Sequence, residues 1–103
     1  MANGLQGRSK PNASTDTTLF TATTPIVVAL NIVNLSGGTA NTIRVYLVPS
    51  GASAANEHLI ENDTDLVAKG VIERTGIVLG TGDSIVVYSN NNTSVFNCWG
   101  VEL

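Results

Sequence analysis

The stretch PIVVALNIVNL, at residues 25–35, decides the fold of this chain. After its proline it is almost entirely apolar and rich in β-branched side chains, interrupted only by Asn31 and Asn34. Such side chains are stiff at χ1 and pack well on a pleated surface. Neither a helix N-cap nor a polar helical stripe marks the stretch. We therefore predict one long strand here.

The predicted strand is apolar on both sides, because side chains along a strand point alternately to its two faces. The first face carries Ile26, Val28, Leu30 and Ile32, and the second carries Val27, Ala29, Val33 and Leu35. The sequence shows no long amphipathic helix that could cover such a strand. We expect both faces to be covered, with the second layer supplied by another sheet or by another subunit.

Six further segments have the composition of strands and are separated by short turns rich in Gly, Asn and Thr. They lie at residues 17–22, 42–48, 58–60, 70–78, 84–89 and 94–101. A bulge is expected at Gly76, and one helical turn at residues 52–56. The pattern predicts an all-β fold. We expect a single antiparallel β-sandwich or jelly-roll-like domain of about seven strands.

The first 16 residues, MANGLQGRSKPNASTD, differ from the rest, and we predict an extended N-terminal arm at 1–16 followed by a sandwich domain at 17–103. Leu5 is the only large apolar residue of the arm besides Met1, and Arg8 and Lys10 make it basic. Residues 17–103 carry three basic and seven acidic residues. The arm is either a loose terminus or becomes ordered on a neighbouring subunit. In the second case Leu5, Arg8 and Lys10 would bind the partner.

The composition suits a protein that sits close to other copies of itself. Charged residues make up 13% of the chain and apolar residues 43%, whereas about 25% of the residues of a typical domain are charged. A surface with few charges repels its neighbours weakly. The net charge of −3 argues against a nucleic-acid partner. The longest apolar run is about half of the ~20 residues that a membrane-spanning helix needs, so no membrane partner is expected.

Residues with catalytic or metal-binding chemistry are few and scattered. His58 and Cys98 are the only residues of their kinds, and no motif supplies either with a catalytic partner. The acidic residues Glu57, Glu61, Asp63 and Asp65 lack the glycine and the final glutamate of a calcium loop. We predict a protein that is not an enzyme and that has no catalytic residue, metal or cofactor.

Three aromatic residues, Tyr46, Tyr88 and Trp99, have two interpretations. They could stack on a sugar ring, as aromatic residues of β-sandwich lectins do. Alternatively they anchor the core or a protein interface. The chain has only five aromatic residues, so the core or an interface needs most of them, and we favour the second interpretation.

The chain resembles small virion structural proteins of tailed bacteriophages over residues 16–103. The segments that carry the resemblance are DTTLFTA, VALNIVNLSGGTA, IRVYLVPSGASAANEHLIE, LGTGDSIVVYSN and SVFNCWGVE. The opening MANGLQGRSKP is also similar to the openings of such proteins. None of these segments is a catalytic motif.

The resemblance implies a β-sandwich module that is assembled on a virion in the host cytoplasm. Such proteins act as capsid decoration or cement proteins, commonly as homotrimers, or as tail, collar, baseplate or fibre components. The implied partners are other copies of the chain and the major capsid protein or other virion proteins. A tail or fibre component could bind host glycan through Tyr46, Tyr88 or Trp99.

Overall fold

The computed structural model describes residues 3–103, and within this range the regular structure consists of eight β-strands and one 3-10 turn at Asn56–His58. The strands are β1 (Gly4–Ser9), β2 (Thr17–Thr21), β3 (Ile26–Asn34), β4 (Asn41–Val48), β5 (Leu59–Leu66), β6 (Val71–Leu79), β7 (Ser84–Ser89) and β8 (Ser94–Glu102).

The strands form two antiparallel four-stranded sheets. The first sheet has the order β1-β8-β3-β6 and the second the order β2-β7-β4-β5. Every connection along the chain, except the one from β4 to β5, passes from one sheet to the other. The predicted all-β sandwich is confirmed. The structure has eight strands, rather than about seven, because β1 was not predicted.

Strand β3 lies inside the first sheet, as its composition indicated. It pairs with β8 along its whole length and with β6 on its other side. The first predicted face of β3, from Ile26 to Ile32, is at most 2% exposed because it packs against the second sheet. The second face is only half-buried, and Leu35 lies beyond the strand and is exposed. Among the described residues, a covering layer therefore lies on one side of β3.

The core fills the space between the two sheets. Its fully buried members include Leu30 and Ile32 from β3, Phe96 from β8, and Val45 and Ile85 from the second sheet. Burying one such aliphatic side chain stabilises the fold by about 1.5–3 kcal/mol relative to leaving it exposed. The inner faces of both sheets therefore supply most of the apolar stabilisation.

The predicted N-terminal arm contains a strand of the first sheet. Backbone pairing joins β1 to β8 of the same chain, from Gly4 opposite Gly100 to Ser9 opposite Phe96. Side-chain patterning did not reveal β1, since it is polar and Gly-rich and is held by backbone pairing. A Cβ at Gly7 would collide with the carbonyl oxygen of Leu19, so glycine permits this close approach. The expectation that only a neighbouring subunit orders this segment is corrected, and residues 1 and 2 lie outside the described residues.

Two local expectations differ in length from the structure and a third is confirmed. Strand β5 extends over Leu59–Leu66 rather than 58–60, because the polar residues after Ile60 continue as the edge of the second sheet. The helical turn lies at Asn56–His58 rather than at 52–56. The bulge at Gly76 is confirmed, since the pairing of β3 with β6 shifts there and Gly76 has a φ of +69°.

Candidate functional site

The outer face of the first sheet is the side that points away from the second sheet. It carries five of the eight exposed large apolar residues among those described: Leu5, Val71, Val78, Trp99 and Val101. Val78 is 64% exposed, Leu5 57% and Trp99 40%. An exposed apolar surface of this kind on a small domain is typical of an interaction site.

Strand register arranges the apolar residues of the outer face in rows that run across the sheet. Directly paired residues of neighbouring strands lie side by side on the same face. The three apolar rows are Val101–Val27–Val78, Leu5–Trp99–Ala29 and Val95–Val33–Val71. Residues from both ends of the chain therefore meet on one surface.

A single polar row crosses the outer face between the second and third apolar rows. It consists of Arg8, Asn97, Asn31 and Glu73, one residue from each strand in the sheet order. Nε of Arg8 donates a hydrogen bond of 2.6 Å to Oδ1 of Asn97. Neither Arg8 nor Glu73 has an ion-pair partner among residues 3–103. The row thus has a positive end at β1 and a negative end at β6.

The predicted partner-binding and aromatic residues separate into two groups. Leu5, Arg8 and Trp99 lie together on the outer face of the first sheet, with Leu5 directly opposite Trp99. Lys10 is exposed just after the end of β1. Tyr46 and Tyr88 lie on the second sheet. The three aromatic residues therefore do not form one stacking platform.

The outer face of the second sheet, its side away from the first, is largely covered by its own chain. Tyr46, Val48 and Val86 form a second apolar cluster there, with Leu59 and Tyr88 packed against it. Tyr46 is only 6% exposed. Leu59 follows directly after the 3-10 turn, which contacts β4. This face keeps few apolar atoms available to a partner.

Arg44 organises the polar part of this second surface. Its guanidinium lies 4.4 Å from the centre of the Tyr88 ring, and its Nε donates a hydrogen bond of 2.6 Å to Asp63. The hydrogen bonds with Asp63, and after it with Tyr46, raise the pKa of Arg44 above its ordinary value. Beside this group lies a depression of about 450 Å³ lined by Arg44, Tyr46, Asn56, Leu59 and Asn62. Its lining combines two amide side chains with a tyrosine, a leucine and a cation.

All four edge strands are irregular, whereas the inner strand pairs are regular. The pairing register shifts within β1, β2, β5 and β6, and each shift leaves an extra residue on the edge strand. The pairings of β3 with β8 and of β4 with β7 have no shift. Bulges at sheet edges hinder the addition of another strand. The apolar outer face, whose two inner strands pair regularly, is therefore a better contact surface than any edge.

A buried polar network at one end of the sandwich was not predicted from the sequence. Nδ2 of Asn34 donates to the carbonyl oxygens of Thr39, Leu66 and Val67, and Nδ2 of Asn41 donates to the hydroxyls of Thr93 and Ser94. No buried side-chain polar atom among the described residues lacks a partner. These asparagines fix three loops together, which is a structural role. The sequence did contain a signal for this network, because Asn34 falls on the same face of β3 as the buried apolar residues.

The residues that were considered for catalysis or metal binding do not come together. Cys98 is buried in the core, and burial raises its pKa to about 11, so the thiol stays protonated at neutral pH. Nδ1 of His58 accepts a hydrogen bond from the backbone of Ala55. Of the acidic residues, Asp63 binds Arg44 and Glu61 binds Arg74 at 3.0 Å. Within residues 3–103 no group of three or more metal-binding side chains is present.

Comparison of the chain with family models, curated proteins and solved structures gives no significant match. None of the described residues belongs to a helix with the length and apolar character needed to cross a membrane.

Proposed function

We propose that this chain is a structural protein of a tailed-bacteriophage virion, a capsid decoration or cement protein that assembles as a homo-oligomer on the particle. The observation that supports this most is the exposed apolar outer face of the first sheet, which is centred on the regular pairing of β3 with β8. A surface that must bind without changing shape is best built on rigid elements. The assignment to a virion and the expectation of a trimer rest on the resemblance to phage virion proteins described above.

The strand order supports a jelly roll as the finer description of the fold. The connections alternate between the two sheets, and the first and last strands, β1 and β8, are neighbours. Eight strands in two antiparallel sheets joined by Greek-key connections are the arrangement found in jelly rolls of viral capsids and lectins. The fold by itself does not decide between these functions.

In the proposed assembly, the N-terminal residues and the outer face contact neighbouring virion proteins. Leu5 adds apolar area beside Trp99, and Lys10 supplies a cation for a carboxylate of the major capsid protein. An exposed lysine of this kind adds mainly to the rate and specificity of association. Removal of the whole segment would also remove β1, so point substitutions are the informative variants.

The virion proposal is tested by locating the protein on intact particles and by counting its copies. We expect labelled protein to cover the capsid at a copy number comparable with that of the major capsid protein. Stripped particles should take up the wild-type protein, while Lys10→Glu should bind more weakly and Lys69→Glu, a control outside the proposed surface, should bind as the wild type does. Absence of the protein from purified particles would overturn the proposal.

The alternative that we retain is a tail, collar, baseplate or fibre component that binds host glycan. The depression beside Arg44 supports it, because the amides of Asn56 and Asn62 offer hydrogen-bond donors and acceptors of the kind that bind sugar hydroxyls. A glycan array with wild-type protein and Asn62→Ala tests this. Binding that is lost in the variant, together with a location on the tail, would favour the alternative over capsid decoration.

A further inference from the structure

We propose that the outer face of the first sheet binds the same face of a second copy, about a two-fold axis that runs parallel to the strands between β8 and β3. In the proposed function this face contacts neighbouring virion proteins, and the inference identifies one of them as a second copy of the chain. The biological role of the contact rests on the proposed function. The self-association itself is a property of the isolated protein.

The polar row makes the outer face complementary to itself. A two-fold axis along the strands places β1 opposite β6 of the second copy, with every row facing its own counterpart. Arg8 of one copy then faces Glu73 of the other, and this pairing occurs twice per dimer. Both side chains lack an ion-pair partner among the described residues of their own chain. Opposite charges that face each other across an interface favour this arrangement of the two copies over others.

The same axis matches the side chains of the inner strands by size and chemistry. Trp99 of β8 faces Ala29 of the second copy, so a large side chain meets a small one. Asn97 faces Asn31, and amide side chains can exchange hydrogen bonds with each other. A row of polar residues inside an apolar contact fixes its register, as buried asparagines do in coiled coils.

An axis that runs across the strands fits the surface less well. If it passed through the polar row, β1 would face β1, with Arg8 opposite Arg8 and Glu73 opposite Glu73. Like charges in contact oppose association. If it passed between the rows, the polar row would face an apolar one and its charges would remain unpaired. The strand-parallel axis is therefore the one that this row permits.

The surface is large enough for a specific contact. Three strands of nine residues and one of six, with strands about 4.8 Å apart and residues that each rise about 3.3 Å, cover roughly 520 Å² in plan. Because side chains project from this plane, the accessible area exceeds the plan area and approaches the ~800 Å² per partner of a standard interface. The two charges of the face cancel, so the face itself adds no net repulsion to that of the chain's overall charge of −3.

The test is a charge exchange measured by sedimentation and native mass spectrometry. Arg8→Glu and Glu73→Arg should each raise the dissociation constant of the dimer by at least about tenfold, because each creates two like-charged pairs. The combined variant Arg8→Glu/Glu73→Arg should restore association close to the wild-type value. Glu57→Arg, which makes the same charge change at an exposed site outside this face, should associate as the wild type does.

A second measurement tests the register directly. Arg8→Cys and Glu73→Cys proteins, mixed and treated with a short bismaleimide, should give cross-linked heterodimers. Neither variant should cross-link alone, because equivalent residues of the two copies lie at opposite edges of the face, about 14 Å apart sideways. Oligomers of even number support the inference, including a hexamer in which trimers pair through this face. A monomeric wild type, a trimer unaffected by Glu73→Arg, or a combined variant that stays dissociated would overturn it. If a trimer unaffected by Glu73→Arg were found on particles, the two-fold contact would be excluded but the proposed virion function would still hold.

Discussion

The two outer faces of this sandwich have opposite characters, although each belongs to an antiparallel sheet of four strands. On the second sheet, Leu59, which follows the 3-10 turn, packs against the cluster of Tyr46, Val48 and Val86, and Arg44 is held by Asp63. On the first sheet, no described residue covers the valines and Trp99. The chain thus completes one face by itself and leaves the other open. A side chain on the covered face should contribute to folding, and one on the open face to association.

The largest expected effect contrasts the two sides of β3. Ile32→Ala should lower the free energy of unfolding by about 2–5 kcal/mol, because it leaves a cavity between the sheets. Val33→Ala, the adjacent residue on the outer face, should cost about 1 kcal/mol or less in the monomer. Denaturant unfolding at low protein concentration measures both. Equal costs at the two positions would show that the inner and outer faces of β3 are wrongly assigned.

The direct comparison of the two outer faces uses their largest aromatic residues. Tyr46→Ala should destabilise the monomer by about 2–4 kcal/mol, because its ring is buried in the second cluster. Trp99→Ala should cost about 1 kcal/mol or less in folding but should weaken self-association, since Trp99 is 40% exposed. Thermal unfolding and sedimentation of both variants separate the effects. A Tyr46 variant that folds normally and fails to associate would reverse the comparison.

An intermediate effect concerns Cys98 on the inner face of the first sheet. Burial raises its pKa from 9.0 to about 11, so the unfolded thiol ionises before the folded one. The buried neutral thiol contributes fully to stability below about pH 9, and this contribution is lost as the pH rises towards 11. The total loss in the free energy of unfolding is about 2–3 kcal/mol. Unfolding free energies of wild type and Cys98→Ala should therefore converge over this range. A constant difference would mean that the thiol is open to water.

The smallest expected effect is at the ion pair of the covered face. Asp63→Asn removes the carboxylate from Arg44, and both side chains are partly exposed, so the cost should be below about 1 kcal/mol and should shrink in high salt. Unfolding at low and high ionic strength measures it, with Asp65→Asn as the matched control on the same strand. A large cost that does not depend on salt would mean that Asp63 has a role beyond this pair.

The long apolar strand, the amphipathic strands and the sandwich could be predicted from the sequence because their residues alternate with the period of a strand. β3, β4, β7 and β8 lie within one residue of their predicted bounds. Period two also separated Leu30, which faces the core, from Ala29, which faces outward. The alternation of apolar and polar residues can be read within a single segment, without knowing which other segments pack against it.

Only the tertiary structure determined β1, the contact between the chain ends and the difference between the two outer faces. Each of these features depends on which distant segments become neighbours. β1 has no apolar pattern and is ordered through backbone pairing with β8. The contact of Leu5 with the row of Trp99 joins the two ends of the chain, and only sheet register brings it about. Trp99 and Tyr46 are both aromatic residues in strands, yet one is left open and the other is covered. That difference depends on where the loop before β5 folds, which neither strand encodes in its own residues.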